Sequence, residues 1–335
     1  MNKRLVWADS LKGVLIVLVV LGHAIQNTIG SQCQTNHLWN IIYSFHMPAF
    51  MAISGYLAYR TNSIIGGGKD CTTLLYRRFQ QLIVPFFLWT CILIITKGDY
   101  SWNSISRLFL YPDHGGLWFL WVLYFIVVIF TLGSYVAHRF KVKQEYIISL
   151  ICALLVGTMV IYSPKLFGAH LIAYYFIFYS IGFFLHKYED LIITKNAYLI
   201  ASLFVLWSVL AWFWQQHELP SWLHFVPIPA SLTQFTYRFV TATIAIYVLI
   251  AVSPKLLSSD QPWNKPFVKL GMVSLGIYTT HIVIIRKVIS LCGLLNLNET
   301  TAIIVSFITA LILSWIIVWL LSKWKYTAKY LLGKI

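Results

Sequence analysis

The first apolar segment of the chain carries three side chains able to perform acid–base chemistry, Asp9, Lys12 and His23. Lys12 and His23 are eleven positions apart, so a helix brings them to within about 20° of one face, about 16.5 Å apart along its axis. No charge lies between them, and a cation inside a membrane costs about 2.5–3.5 kcal/mol. Because such a cation usually faces a cavity, a partner or a ligand, we predict a functional site along this stripe, with Asp9 and His23 as catalytic candidates.

Two further apolar segments carry a histidine well away from their ends. His46 is followed two residues later by Pro48, and His281 shares a helix face with Tyr278 at i, i+3 spacing. A single histidine in an apolar helix is more often a hydrogen-bonded packing residue, and for His46 alone that interpretation is equally good. Three such histidines in three segments are harder to explain by packing. We therefore predict His46 as a further catalytic residue and Tyr278 and His281 as substrate-binding residues.

Adjacent arginines, Arg77 and Arg78, open the third apolar segment. Guanidinium groups bind phosphate oxygens in pairs, so these residues, together with Lys12, are candidates to bind a phosphorylated cytosolic ligand. For the two arginines alone, anchoring of the helix at the inner membrane face is the better explanation, and their depth beside Lys12 is what favours a phosphate site.

A predicted outer loop has the sequence Tyr-Pro-Asp-His-Gly-Gly-Leu-Trp and places Asp113 and His114 before a glycine pair, followed by Trp118. Tryptophan is common at membrane interfaces without any further function. An acid and a histidine in a loop more often belong to a binding site than to packing. These three residues are predicted to contact the substrate.

The elements that must position these side chains are transmembrane helices. Of 335 residues, 59% are hydrophobic and only 10% are charged, which indicates an all-α integral membrane protein. We predict about ten spans, with no separate soluble domain, so that residues 1–335 form a single transmembrane domain. The predicted spans lie near 6–28, 37–58, 77–96, 117–137, 145–163, 169–187, 196–214, 234–253, 267–290 and 301–321.

The distribution of charge predicts the orientation. If the 25 Lys and Arg residues are assigned to alternate sides of these helices, most fall on the side of the N-terminus, which predicts cytoplasmic N- and C-termini. The net charge of +15 is then explained by topology and contact with anionic lipids, and nucleic acid is not an expected partner. No cleavage site follows the first apolar run, so this helix is expected to be retained.

Metal binding is not expected. The ten histidines form no i, i+3 or i, i+4 pair with a nearby carboxylate, and the five cysteines lack the spacing of metal ligands. The odd number of cysteines also gives no sign of a disulfide framework.

Five motifs, in order along nearly the whole chain, resemble those of the membrane acyltransferase family 3, in particular its fucose O-acetylase-like branch. The first helix has a basic residue followed by histidine after ten others, and the third has a basic motif in which the family commonly has a second arginine where this chain has Gln81. The matching stretches are Asp9–Gly13 with Gly22-His23, Phe45–Tyr56, Arg77–Pro85, Trp118–Leu120 and Ser274–Tyr278 with His281.

The resemblance implies transfer of an acyl group, usually acetyl from acetyl-CoA, to a hydroxyl of an envelope or secreted glycan or of a lipid-linked sugar. It places the protein in a bacterial inner membrane. His23 would then act as a general base or form an acyl-histidine, and the sequence does not separate these alternatives. Lys12, Arg77 and Arg78 would bind the phosphates of coenzyme A, Asp9 would pair with or tune Lys12, and His46 would orient His23 or stabilise the oxyanion.

Two other classes of function use the same residue types. Intramembrane Lys, His and Asp residues also form proton relays and anion pathways in transporters. The chain lacks the internal repeat typical of many transporters, and its basic residues are expected at the inner mouth. A catalytically inactive glycan-binding protein is the third interpretation, for which His23 would matter only for packing.

Overall fold

The computed structural model describes residues 5–62, 68–98, 100–225, 227–258 and 261–334. Within these ranges the chain forms helices joined by short turns and contains no β-strand. The α-helices are α1 Val6–Ile29, α2 His37–Asn62, α3 Gly68–Arg78, α4 Val84–Lys97, α5 Trp102–Leu110, α6 Trp118–Arg139, α7 Gln144–Tyr162, α8 Ala169–Lys187, α9 Glu189–Ile192, α10 Ala197–Trp212, α11 Ala230–Leu256, α12 Lys265–Met272, α13 Ser274–Leu294, α14 Glu299–Leu321 and α15 Lys325–Leu332.

The lengths and composition of these helices are those of a membrane protein. In the described part of the chain, nine helical segments are long and apolar enough to cross a membrane. The segment predicted at 196–214 is the shorter apolar helix α10, of 16 residues. The prediction of an all-α integral membrane protein is therefore confirmed, whereas the orientation inferred from charge stays a prediction.

The helices group into two compact units. The first unit comprises Met1–Phe50 and Tyr188–Ile317, and the second comprises Met51–Lys187 and Val318–Ile335. The proposal of a single domain over residues 1–335 stays a prediction, and each unit is described by itself below.

In the first unit, α1 and α12 touch through their backbones. A Cβ atom at Gly13 would lie 2.0 Å from the carbonyl oxygen of Phe267, and one at Gly271 would lie 1.7 Å from the carbonyl oxygen of Asp9. Only glycine at both positions permits this approach, because any Cβ would overlap the facing backbone. The contact fixes α12 beside the turn of α1 that carries Asp9 and Lys12.

The prediction of one continuous helix over residues 267–290 is wrong, because the chain forms two helices there, α12 and α13. The chain leaves helical geometry at Val273, with φ −113° and ψ 10°, and this residue separates α12 from α13. The N–H of Val273 donates to Leu270 O at 3.2 Å, the shorter bond of a tightened last turn. The close packing of Gly271 on α1 holds α12 in place, so α13 starts anew at Ser274.

In the second unit, two glycines bring α2 and α8 into backbone contact. A Cβ at Gly55 would lie 1.9 Å from Tyr179 O, and one at Gly182 would lie 1.8 Å from Ala52 O. His186 of α8 stacks on the ring of Tyr56 at 4.0 Å between centroids. Its Nδ1 donates to Tyr56 O at 2.6 Å, so the same crossing is also closed by a side-chain hydrogen bond.

A π-helical turn, Phe79–Ile83, joins α3 to α4 in the second unit. Pro85 has no N–H for the carbonyl of Gln81, and its ring would crowd that carbonyl in a regular α-helix, which explains the wider turn. The C-terminal helix α15 packs against α4 and this turn. Trp89 Nε1 donates to Leu331 O at 2.9 Å. A Cβ at Gly333 would lie 2.3 Å from Gln81 O.

Replacing Gly333 by alanine is expected to destabilise the second unit by about 2–3 kcal/mol. This figure adds the cost of a left-handed backbone conformation for alanine to the cost of steric overlap between its Cβ and the facing backbone. Gly333 has φ +63°, and Gly98 has φ +71° with nothing within 4 Å of a Cβ. Gly98→Ala is therefore the matched control and carries only the conformational cost. Thermal unfolding of the purified variants in detergent measures both, and equal losses would contradict the predicted clash.

Candidate active site

Helix α1 carries the predicted catalytic and basic residues Asp9, Lys12 and His23. Lys12 Nζ lies 2.8 Å from Asp9 Oδ1, and the Asp9 side chain is largely buried. This ion pair neutralises two charges at the start of the helix and leaves Lys12 partly exposed. His23 lies three turns further along, is half-buried, and follows Gly22.

His46 of α2 is held in one tautomer. The side chain is 2% exposed, and its Nδ1 lies 2.7 Å from the carbonyl oxygen of Ile42, one turn earlier. A carbonyl can only accept, so Nδ1 carries the proton and Nε2 is the lone-pair nitrogen.

His281 of α13 repeats this arrangement. It is fully buried, and Nδ1 donates to Ile277 O at 2.9 Å. Nε2 is therefore a bare acceptor, and no donor among the described residues reaches it. The ring of Tyr278 lies 5.9 Å away.

The first unit brings the three histidines into one cluster around Tyr43. The His23 ring lies 5.2 Å from the ring of His281 and 6.4 Å from that of Tyr43, measured between centroids. Tyr43 in turn lies 4.7 Å from His46. Two of the three histidines are nearly or fully buried, and each of these two presents a lone pair at Nε2 when its imidazole is neutral.

Two members of the cluster were not predicted from the sequence. Tyr43 Oη donates to Gln26 Oε1 at 2.7 Å, and Gln26 also interacts with His23. Gly22 makes room for the tyrosine, since a Cβ there would lie 2.8 Å from Tyr43 Cε2. The one feature of the sequence that points to these two residues is their spacing from a predicted histidine. Tyr43 precedes His46 by one helical turn, and Gln26 follows His23 by one helical turn.

The second unit holds the remaining predicted site residues. Arg77 is exposed, and Arg78 donates from Nη1 to Gln81 Oε1 at 3.0 Å, directly before the π-helical turn. Gln81, which stands where the resembling family commonly has a second arginine, thus contacts Arg78.

The predicted outer loop of the second unit forms a short 3-10 turn, Pro112–Gly115, that includes Asp113. Trp118 begins α6 and stacks on Tyr175 with centroids 5.1 Å apart. The side chain of His114 lies outside the described part of the chain. A contact of this loop with substrate stays a prediction.

A resident metal ion finds no ligand set in the described part of the chain. No three His, Cys, Asp or Glu side chains there lie close enough together to hold one. The chemistry available to the cluster is proton transfer and nucleophilic attack by imidazole nitrogen.

Spans of membrane length and a histidine cluster within them define a multi-pass, all-α membrane protein with an intramembrane imidazole site. A sequence model described as "Acyltransferase domain" matches residues 5–319. The chain therefore belongs to the acyltransferase 3 family, as its motifs predicted.

Two curated relatives share the description "Nodulation protein NolL". The protein from Sinorhizobium fredii is 31% identical over 227 residues, which cover 62% of this chain and 56% of the relative. The protein from Mesorhizobium japonicum is 31% identical over 194 residues, covering 54% of this chain and 48% of the relative. The chain thus spans about half the length of the curated relatives it matches. No solved structure gives a significant match.

Proposed function

We propose that the protein is a membrane O-acyltransferase that moves acetyl from cytosolic acetyl-CoA to a hydroxyl of a cell-envelope or secreted glycan, or of a lipid-linked sugar, in a bacterial inner membrane. The observation that carries this proposal is the His23 cluster. His23 adjoins His281 at 5.2 Å inside a chain whose match to the acyltransferase family covers residues 5–319.

In the proposed reaction, His23 acts on the acceptor hydroxyl. The imidazole takes the hydroxyl proton while the oxygen attacks the thioester carbonyl, which gives a tetrahedral oxyanion. Collapse of this intermediate breaks the carbon–sulfur bond, and the imidazolium returns its proton to the leaving thiolate. His46, whose ring lies 4.7 Å from that of Tyr43 and whose Nδ1 is bonded to Ile42 O, is proposed to orient the reacting groups.

An acyl-histidine route remains the alternative. A lone pair of His23 would attack the thioester, the carbon–sulfur bond would break, and the N–H proton of the ring would pass to the leaving thiolate. The acceptor hydroxyl would then displace the imidazole and return its proton to the ring. Rapid quenching of the enzyme with acetyl-CoA and no acceptor separates the routes, since only this one leaves label on the protein.

The donor and acceptor contacts are assigned by chemistry. Lys12 in the first unit and Arg77 and Arg78 in the second are proposed to bind coenzyme A phosphates, for which guanidinium and ammonium groups are suited. Asp9 is proposed to set the position of Lys12 through their 2.8 Å ion pair.

Acceptor contacts are proposed for five residues. Tyr278 and His281 belong to the first unit and adjoin the histidine cluster or form part of it. The other three, Asp113, His114 and Trp118, follow one another along the loop that leads into α6. Aromatic rings, carboxylates and imidazoles are side chains that contact sugars through stacking and hydrogen bonds.

The proposal is tested by following radiolabelled acetyl from acetyl-CoA into the glycan fraction of membranes that contain the wild-type protein or an empty vector. We expect label in glycans only with the protein, released as acetate by mild alkali because oxygen esters are labile to base. Equal labelling of both membranes would contradict the proposal.

A second measurement separates the transporter alternative. Coenzyme A at a hundred times its dissociation constant should stabilise an acyltransferase by about 2.7 kcal/mol, seen as a higher melting temperature. A transporter of sugar-containing solutes has no reason to show this response.

A further inference from the structure

His281 combines complete burial with an unused hydrogen-bond acceptor. Its Nδ1 proton is committed to Ile277 O at 2.9 Å, so Nε2 presents a lone pair, yet no donor among the described residues reaches that atom. Buried polar atoms without partners are rare in native proteins, because each loses its hydrogen bonds to water without replacement. A histidine kept in this state needs a donor that arrives in the working enzyme.

The ring of His281 has the ring of His23 as a neighbour. The two ring centroids lie 5.2 Å apart, and the planes are tilted by 45°. Because imidazole nitrogens lie about 1.1 Å from the centroid, this spacing leaves about 3 Å between two nitrogens that point at each other, which is a hydrogen-bond length. No donor reaches His281 Nε2 among the described residues, so the bond requires the His23 ring to turn toward it.

One other acceptor competes for the N–H of His23. Gln26 also reaches His23, and its Oε1, which already accepts the Tyr43 hydroxyl at 2.7 Å, has a second lone pair. His281 Nε2 carries no such prior bond, and its helix holds it in place through Ile277.

We infer that His281 is a positioning residue: its Nε2 accepts the N–H of His23, which fixes the tautomer of His23 and turns the other nitrogen toward the acceptor hydroxyl. This role replaces the acceptor contact considered for His281 above, because both of its ring nitrogens are then engaged. When His23 gains the hydroxyl proton, the same bond becomes charge-assisted and stronger. A neutral imidazole thereby takes the orienting part that a carboxylate has in many acid–base sites. The expected effect of His281 on kcat rests on the function proposed above. The expected effect of His281 on the tautomer of His23 does not rest on it.

A matched pair of variants separates this role from simple packing. His281→Asn keeps an N–H at the position of Nδ1 for the Ile277 carbonyl but loses the acceptor. His281→Gln places an oxygen near the position of Nε2 and loses the N–H to Ile277. If His281 only packs, His281→Asn should preserve the tautomer of His23 and the acetyl-transfer rate better than His281→Gln. If His281 positions His23, His281→Gln should preserve both better. Thr280→Val controls for loss of a buried polar group on α13, since Thr280 bonds only within its own helix.

The direct measurement is nitrogen NMR of the full-length protein, labelled in its histidine rings, with the His23 signals assigned from His23→Ala. We expect one tautomer of His23 in the wild type, Thr280→Val and His281→Gln, and a mixture in His281→Asn. An unchanged tautomer in folded His281→Asn would overturn the inference.

Acetyl-transfer rates provide the second readout. We expect His281→Asn to lower kcat about 10- to 100-fold with the KM for acetyl-CoA unchanged, and His281→Gln to recover to within about threefold of the wild type. A His281→Gln enzyme as slow as His281→Asn would also overturn the inference. If the wild type transfers no acetyl while the tautomer pattern holds, the proposed function fails and the positioning of His23 stands.

Discussion

Replacing His23 by glutamine should lower the rate of acyl transfer by about a hundred- to ten-thousandfold, the range associated with loss of a general base or acid. Glutamine retains much of the volume and a hydrogen-bonding terminus beside His281 and Tyr43, which lie 5.2 Å and 6.4 Å from the native ring. It takes up no proton at neutral pH and does not attack a thioester. The loss should therefore appear in kcat, measured with labelled acetyl-CoA at equal amounts of folded protein.

His37→Gln is the matched control for this substitution. His37 also belongs to the first unit and pairs with an aromatic ring, since it stacks on Trp212 with centroids 4.3 Å apart. Its distance from the cluster along α2 gives it no part in the proposed chemistry, and we expect its variant to stay within about threefold of wild type. Wild-type turnover by folded His23→Gln would remove His23 from the mechanism and favour a binding or structural role.

Replacing Gly271 by alanine should destabilise the first unit by about 3 kcal/mol or more. A single methyl group would lie 1.7 Å from the carbonyl oxygen of Asp9 and 3.0 Å from the backbone nitrogen of Gly13. Because these obstacles are backbone atoms, a rotamer change does not relieve the overlap, and the two helices must separate. Gly13→Ala, which meets Phe267 O at 2.0 Å, should behave in the same way.

The matched controls for this prediction are Gly157→Ala and Gly293→Ala. Both glycines lie in helices of membrane length, and nothing lies within 4 Å of a Cβ at either position. There the alanine meets only open space and should be neutral or stabilise by up to about 1 kcal/mol through helix propensity. Thermal unfolding in detergent compares the two pairs, and equal melting temperatures for Gly271→Ala and Gly157→Ala would refute the close contact.

The histidines of the cluster could be found from the sequence because each interrupts an apolar helix with a polar, titratable group. Tyr43 could not, since the chain has 20 tyrosines and 22 phenylalanines, and an aromatic residue in a membrane helix carries little information by itself. Its position at the centre of the site is fixed by Gly22 on the neighbouring helix. That contact depends on tertiary packing rather than on local pattern.

The helix spans were predictable from hydrophobic length, but two other features were not. At Val273 the chain has neither proline nor glycine, and the break follows from the packing of Gly271 on α1. After Phe79–Ile83 the cause of the π-turn, Pro85, is visible in the sequence, but the close packing of Gly333 on Gln81 in this turn is not. The break at Val273 and this packing both involve residues far apart in the chain.

The ion pair between Asp9 and Lys12 also bears on how the protein is made. A helix that enters the bilayer during synthesis bears a cost of about 2.5–3.5 kcal/mol for a central lysine or aspartate, and the 2.8 Å pairing lets the first helix insert with no net charge at that turn. An exchange at either residue leaves the other as a lone ion at this point. Fewer inserted molecules would then mimic a defect in donor binding, so activities of such variants are meaningful only per molecule of protein recovered in the membrane.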